Sequence, residues 1–431
     1  MTIALIGFAV LILLCFFGFR VGFATMFVGI VGFAYERGWE PALTMTGTQI
    51  MEDAMRYNLS VIPLFVLMGV FIYRAEISQD LYEAAYVVLG QLRGGLALST
   101  VVACAGFSAV CGSSIATAAT MTKVAMPPMR KYRYADSLAT GTIAAGGTLG
   151  IMIPPSVPLV IYGIVAEQDI ARLFIAGIVP GLLLVFLFLV AIAITVRLKP
   201  EAGPAGDPLP LERKRQVLKS VWPIIGLFIV VLGGIYGGVF TPTEAAGIGA
   251  FGAAIISWFR GHLRTLGDWK ISLVEAAKTT ATLFIAIFGA LVFAQFINLS
   301  GMPYDILDAI DEMNLTSWQL VLVIAAIAVV MGMIFESIGI LLLLVPVFLP
   351  ALYDSGVDMI WFGIVVVLVT ELGLITPPIG MNVFVVKSVM PDTQLGQIFR
   401  GVVPFIFAML IALALVFAFP YLATFLPSLM R

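Results

Sequence analysis

Two stretches decide the fold: Thr370-Glu371-Leu372-Gly373, followed by Thr376-Pro377-Pro378-Ile379-Gly380-Met381-Asn382, and the earlier Gly146-Gly147-Thr148-Leu149-Gly150, followed by Pro154-Pro155. Each puts glycine, hydroxyl residues and a proline pair inside an apolar run that is otherwise long enough to cross a bilayer, which takes about 20 helical residues. Proline lacks a backbone N–H and cannot sit in a helix interior without freeing a carbonyl. Irregular backbone at membrane depth is tolerated only inside protein or against a wet cavity. Both stretches therefore read as broken transmembrane helices.

A shift of 223 residues superposes them. It takes Gly150 to Gly373, Pro154-Pro155 to Pro377-Pro378, Ser114 to Ser337, Pro127 to Pro350 and Asp169 to Asp392. One further residue of shift takes Gly177 to Gly401 and Pro180 to Pro404. The chain is thus expected to be two repeats, 1–196 and 221–431, joined by a basic linker over 197–220.

Composition agrees. Of 431 residues, 61% are hydrophobic and 11% charged, against about 45–50% and about 25% in soluble proteins. That excludes a soluble enzyme and a disordered chain, and a net charge of -2 offers no basic face to nucleic acid. The single histidine, His262, excludes a multi-histidine metal site. Cys15, Cys104 and Cys111 lie in apolar runs without ligand-like spacing and read as packing residues.

Twelve apolar runs follow one another: 3–19, 21–35, 59–73, 96–126, 138–165, 174–196, 221–240, 245–259, 279–299, 318–349, 360–386 and 402–426. No alternating ten-residue strands occur, so an all-α polytopic membrane protein is expected. The first run has no basic start or small-residue cleavage site, so it is not read as a signal peptide. Runs 96–126 and 318–349 are too long for one comfortable span and are interrupted at Gly112-Ser113-Ser114 and Glu336-Ser337-Ile338-Gly339. Both read as re-entrant hairpins rather than single tilted helices.

Charge placement tests that reading. With two re-entrant hairpins, 18 of the 23 Lys/Arg fall on one side, among them Arg20, Arg74, Arg130, Lys131 and those of 197–219 and 260–278. Arg37, Arg56, Arg172 and Arg431 fall on the other, and Lys123 lies in the first hairpin. The richer side is the cytoplasmic one. The first hairpin then opens inward, the second outward, and the N-terminus lies outside. Matching elements run in opposite directions, a signature of secondary transporters whose substrate and ions meet at the breaks.

Freed carbonyls and Ser/Thr hydroxyls suit Na⁺, while helix N-termini at the tips suit a carboxylate. Glu336 and Glu371 are the only carboxylates at depth and are functional candidates by cost of burial. They could carry a proton, stabilise Na⁺ or anchor a hairpin. Asn382 could serve Na⁺ or a substrate oxygen, or tie down the broken helix. Lys387 reads as a snorkelling anchor, and Thr241-Pro242-Thr243-Glu244 as a helix cap. Amphipathic stretches 78–92 and 265–279 are expected on the inner face, one per half, as parts of a static frame.

Several motifs carry a resemblance. Val61-Ile62-Pro63-Leu64-Phe65-Val66-Leu67-Met68-Gly69, Gly112-Ser113-Ser114-Ile115-Ala116-Thr117-Ala118, Ile153-Pro154-Pro155-Ser156, Tyr236-Gly237-Gly238-Val239-Phe240-Thr241-Pro242-Thr243-Glu244-Ala245-Ala246 and Gly373-Leu374-Ile375-Thr376-Pro377-Pro378-Ile379-Gly380-Met381-Asn382 resemble the large membrane subunit of TRAP (tripartite ATP-independent periplasmic) transporters. The last two motifs are the specific ones. The resemblance implies an elevator-type, sodium-driven importer of organic anions in a bacterial or archaeal inner membrane. It implies two separate partners, a small four-helix membrane subunit and a periplasmic substrate-binding protein, and no cofactor besides Na⁺.

It places sodium ligands at Ser113, Ser114, Gly146, Gly147 and Gly150, and at Glu336, Ser337, Gly373, Thr376 and Met381. Substrate contacts are expected from Ser113, Thr148, Pro154, Pro155, Ser337, Pro377, Pro378 and Asn382. The open alternative is a stand-alone sodium/dicarboxylate carrier or sodium/proton antiporter of similar plan. An enzyme is not expected, because no nucleophile–base set or His-Glu-x-x-His occurs. No Gly-x4-Gly-Lys-Ser/Thr motif for ATP is present.

Overall fold

The computed structural model describes residues 2–208 and 210–430; Arg431, counted above on the outer side, lies outside them. Among the described residues there are helices and turns but no strand. The first half holds α1 (Thr2–Phe16), α2 (Val21–Arg37), α3 (Trp39–Ala54), α4 (Val61–Arg74), α5 (Ile77–Leu89), α6 (Gly95–Cys111), α7 (Ser114–Lys131), α8 (Asp136–Met152), α9 (Val157–Val165) and α10 (Ile170–Leu198). The second holds α11 (Leu211–Tyr236), α12 (Pro242–Phe259), α13 (Leu266–Leu299), α14 (Met302–Glu312), α15 (Ser317–Gly332), α16 (Ser337–Asp354), α17 (Met359–Ile375), α18 (Met381–Val389), α19 (Leu395–Ala418) and α20 (Tyr421–Ser428). Among the described residues six helices are long and apolar enough to cross a membrane, or seven counting the pair α8–α9, bent by 44°.

The 223-residue shift holds at the level of helices. It carries α7 onto α16 and α8 onto α17 residue for residue. Packing follows the same exchange of counterparts: α2 lies on α13 while α12 lies on α4, and α7 lies on α18 while α16 lies on α9. The halves run in opposite directions. The open end of hairpin α6–α7 meets the α18–α19 loop, where Arg130 bonds Asp392 at 2.6 Å and Thr393 at 3.1 Å. The open end of hairpin α15–α16 meets the α9–α10 loop at the opposite face, where the Tyr353 hydroxyl donates to the Ala166 carbonyl at 3.0 Å and accepts from Gln168 at 3.0 Å.

Helices α8 and α17 form the centre. Every residue from Leu138 to Met152 and from Met359 to Ile375 is buried. A helix apolar all round is one surrounded by protein, and α10 and α19 complete that surround. Close approach requires glycine at one crossing in particular: a Cβ on Gly373 would lie 2.5 Å from the Gly332 Cα, so α15 and α17 touch backbone to backbone. Such contacts between small residues hold helices together where lipid supplies no hydrophobic drive.

The frame shows two departures from expectation. The stretch 265–279 is the first part of the 34-residue α13, begun by a capping box between Thr265 and Asp268. At 1.5 Å per residue α13 is about 50 Å long, well beyond a hydrocarbon core of about 30 Å. Its counterpart in the first half is split into α3 and α4, and the counterpart of α5 is α14. The two amphipathic stretches are therefore not each other's repeat mates. Inversion requires each half to have one such helix at either face, and α3 and α14 escaped the sequence reading because their polar sides hide them in a hydropathy scan. Thr241 and Glu244 do form the expected capping box at the start of α12. On the base-rich face, Arg74 pairs with Glu275 and Arg260 with Asp80, tying α4 to α13 and the α12 end to α5.

Candidate functional site

The two hairpin tips meet at one buried carboxylate. Glu371, on the fully enclosed α17, accepts from the Ser114 hydroxyl at 2.5 Å and the Ser337 hydroxyl at 2.7 Å. All three residues are buried. Ser114 opens α7 and Ser337 opens α16, so one side chain holds the start of the second helix of each hairpin. An unshared carboxylate is costly to bury; two hydroxyl donors offset part of that cost. Of the roles open to Glu371, anchoring is the one the geometry displays, and it anchors both hairpins at once.

The first tip turns at Gly112, whose φ of +59° suits glycine. Ser113 then caps α7 by accepting from the Ala116 N–H at 3.4 Å. Its neighbours Gly147 and Gly150 lie against this tip: a Cβ on Gly147 would meet Ala118, the Ser114 carbonyl and Asn382, and one on Gly150 would meet the Ser113 backbone. Gly146 faces Cys104 instead.

The breaks fall later than the glycine-rich stretches suggested. Helix α8 continues through Gly146–Gly150 and ends at Met152; α17 continues through Gly373 and ends at Ile375. The glycines are packing positions for the hairpins, and the prolines end the helices. Because Pro154 and Pro155 have no N–H, the carbonyls of Gly150 and Ile151 have no i+4 donor. The carbonyls of Gly373 and Leu374 stand in the same relation to Pro377 and Pro378, though Gly373 accepts a shorter-range bond from the Thr376 N–H at 3.0 Å. These oxygens, with the tip hydroxyls, are the hard donors that a small monovalent cation takes. The X–Pro bonds Pro154-Pro155 and Pro377-Pro378 are both cis.

Other expected residues occupy distinct settings. Asn382 is buried and donates to the Ala144 carbonyl at 3.2 Å, while its Oδ1 has no partner among the described residues. It thus ties α18 to α8 and keeps one acceptor free. The Thr148 hydroxyl is satisfied by Ala145 and that of Thr376 by Leu372, both at 2.6 Å. Pro154 and Pro155 are buried, whereas Pro377 and Pro378 are exposed. Lys387 does not snorkel freely; its ammonium caps the chain turn by donating to Pro391 and Thr393 carbonyls at 2.7 and 2.8 Å.

A cavity of about 1000 Å³ begins at the tips and descends beside α7. Ser113, Glu336 and Met381 line it, whereas Ser114, Ser337, Thr148 and Asn382 are enclosed in protein. Glu336 faces this space rather than the serine–carboxylate bridge. Lower down the cavity passes Thr120 and Lys123 and reaches Tyr73, Glu275 and Arg20, near the base-rich face. The sequence reading missed Arg20 and Lys123 as site residues. A cation beside a broken apolar run was the signal, but only the packing of α2 against α13 brings Arg20 into the cavity wall.

Inverted hairpins, two broken helices and a cavity that stops at their junction define a membrane transport protein. Comparison with known families places it further. Residues 8–422 match the family described as "Tripartite ATP-independent periplasmic transporter, DctM component", and the chain belongs to that family. It is 36% identical over 381 residues to the C4-dicarboxylate TRAP transporter large permease protein DctM of Pseudomonas aeruginosa, covering 88% of each chain. It is 33% identical over 372 residues to the isethionate TRAP transporter permease protein DctMQ of Oleidesulfovibrio alaskensis, covering 86% of this chain and 58% of that one. Among solved structures, the YdaH transporter of Alcanivorax borkumensis matches with a TM-score of 0.63 at 14% identity over 88% of each chain, a likeness of fold. The chain is a multi-pass membrane permease component and not an enzyme.

Proposed function

We propose that this chain is the large membrane subunit of a sodium-coupled importer of organic anions, carboxylates or sulfonates, in a bacterial cytoplasmic membrane. A periplasmic binding protein delivers the substrate, and a small four-helix membrane subunit completes the assembly. The observation that carries this reading is the junction at Glu371: two oppositely directed hairpins meet on one buried carboxylate, at the closed end of a cavity. Residues 1–196 and 221–431 are the two repeats, with the hairpins and broken helices (α6–α9 and α15–α18) as the moving body and α1–α4 with α11–α13 as the frame. Movement of that body across the frame, an elevator, would open the tips to the other side.

Sodium would be held by the tip residues Ser113, Ser114 and Ser337 with the freed carbonyls near Gly150 and Gly373. Names of relatives in the family, a C4-dicarboxylate transporter and an isethionate transporter, support an anionic substrate. The second of these is a longer chain whose name joins two components, which supports a companion subunit.

The test is uptake of radiolabelled organic acids into proteoliposomes holding both membrane subunits, with an imposed sodium gradient and added binding protein. Uptake should require all three proteins and sodium. Uptake by the membrane chain without any binding protein would favour the stand-alone carrier. Ser114→Ala and Ser337→Ala should each weaken the sodium response more than the amount of folded protein; an unchanged response in both would remove the tips from the ion path.

A further inference from the structure

Four charged residues face the cavity, and their pairing is unequal. Glu275 is neutralised by Arg74. The side chains of Lys123 on α7 and of Arg20, just before α2, make no hydrogen bond or ion pair among the described residues, and both residues are exposed within the cavity wall. Glu336, at the tip end, is likewise unpaired. The upper end of the cavity is thus acidic and its lower part basic.

Lys123 lies nine residues along α7 from Ser114, about 14 Å at 1.5 Å per residue. Ser113, Ala116, Thr120 and Lys123 fall on one stripe of α7, since residues three and four apart share a helix face. The stripe forms a track from tip to cation. A cleft with low-dielectric walls and one sign of fixed charge concentrates counter-ions. Arg20 belongs to the frame side and Lys123 to the hairpin.

The geometry points to Lys123 and Arg20 as an anion-binding release station: a second site, about two and a half helical turns below the hairpin tips, that takes the carboxylate or sulfonate of a substrate leaving toward the base-rich face. This inference rests on the proposed transport of organic anions and adds the residues that receive them. Glu336 repels the same anion from the tip end and so favours its descent. If the hairpin moves against the frame, Lys123 and Arg20 separate, and the station exists only while the cavity is open to this face.

The test reads the local potential directly. Cys15 and Cys111 also line the cavity, so Thr120→Cys is made with both replaced by alanine; this parent chain carries a thiol one turn from Lys123, and its labelling is followed in lipid nanodiscs. Three methanethiosulfonate reagents are compared: anionic sulfonatoethyl, cationic trimethylammonium-ethyl and neutral methyl. With a charge about 8 Å from the thiol and an effective dielectric near 40, neutralising Lys123 shifts each charged reagent's rate by about fivefold, in opposite directions. Lys123→Gln should therefore slow the anionic reagent and speed the cationic one. Arg20→Gln should act in the same sense, and Lys123→Arg should restore the parent ratio.

An unchanged neutral-reagent rate shows that the cavity is intact in each variant. Succinate and isethionate, each compared with chloride at equal ionic strength, should slow anionic labelling of the parent but not of the double variant. A ratio that stays put in both glutamine variants, or labelling indifferent to both probe anions, overturns the station. Labelling does not depend on the binding protein or on a sodium gradient. Failure of the uptake experiment with a normal labelling result would therefore count against the transport reading and leave the site standing.

Discussion

Ser114→Ala offers the sharpest test of the bridge at Glu371. The substitution removes one of two donors to a carboxylate with no exposure to solvent. A hydrogen bond to a charged group contributes about 1.5–3 kcal/mol, a neutral one about 0.5–1.5 kcal/mol. With Glu371 ionised, Ser114→Ala in the native background should therefore cost about 1.5–3 kcal/mol. In a Glu371→Gln background the amide can still accept from one serine and donate to the other hydroxyl, but the charge is gone. There Ser114→Ala should cost only about 0.5–1.5 kcal/mol. The difference, about 1–1.5 kcal/mol, is the coupling that a double-mutant cycle isolates. It can be measured by SDS titration of the purified chain in mixed micelles, following tryptophan fluorescence across all four variants. Ser113→Ala, which loses only a long 3.4 Å cap bond, is the matched control and should fall near the low end of the cap range, about 0.5 kcal/mol. Equal costs of Ser114→Ala in the two backgrounds would refute the reasoning, because the hydroxyl would then owe nothing to a carboxylate charge.

Three further outcomes follow from the structure. Gly373→Ala should lower stability by about 1–3 kcal/mol, as overpacking does, because its Cβ would press on the Gly332 backbone; Gly226→Ala, inside α11 with nothing within 4 Å, should instead leave stability unchanged or raise it by up to about 1 kcal/mol, and thermal unfolding of the two variants checks the contrast. The Asp392 carboxyl is held below its ordinary value by the hydrogen bond from Arg130, so this clasp is fully present above the ordinary aspartate range near 3.9 and is lost as pH falls through the lower folded value. Protection of the Thr393 amide, taken relative to the intrinsic exchange rate at each pH, should therefore fall in acid in the native chain but stay constant in Asp392→Asn. Finally, single cysteines near Arg130 should react with impermeant reagents from the cytoplasmic side and those near Asp308 from outside; the opposite pattern would invert the assigned orientation.

Much of this architecture is legible in the chain. Pro154-Pro155 and Pro377-Pro378 mark where two helices must end, because a missing N–H acts locally and needs no partner. Ser114 and Ser337, related by the same 223 residues, mark the two tips. The glycine-rich stretches misled by about one turn. Gly147, Gly150 and Gly373 look like helix breakers in one dimension, but in three they are the flat surfaces on which hairpins and neighbouring helices lie. Helices α3 and α14 were missed for a related reason: half-polar segments carry no hydropathy peak, and only inversion of the repeat demands them.

What the sequence by itself determined is the class: apolar runs, paired breakers and the placement of bases specify an inverted helical membrane protein, since each is set by local backbone chemistry or by the cost of charge in lipid. What only the tertiary structure decided is which groups meet. Ser114 and Glu371 are 257 residues apart, and Arg20 and Lys123 lie on separate elements. Such meetings depend on how whole helices pack, and packing is a property of facing surfaces that no single stretch of chain contains. That is why Glu371 was recognised as costly from its position alone, while its two partners became visible only when both hairpins were in place.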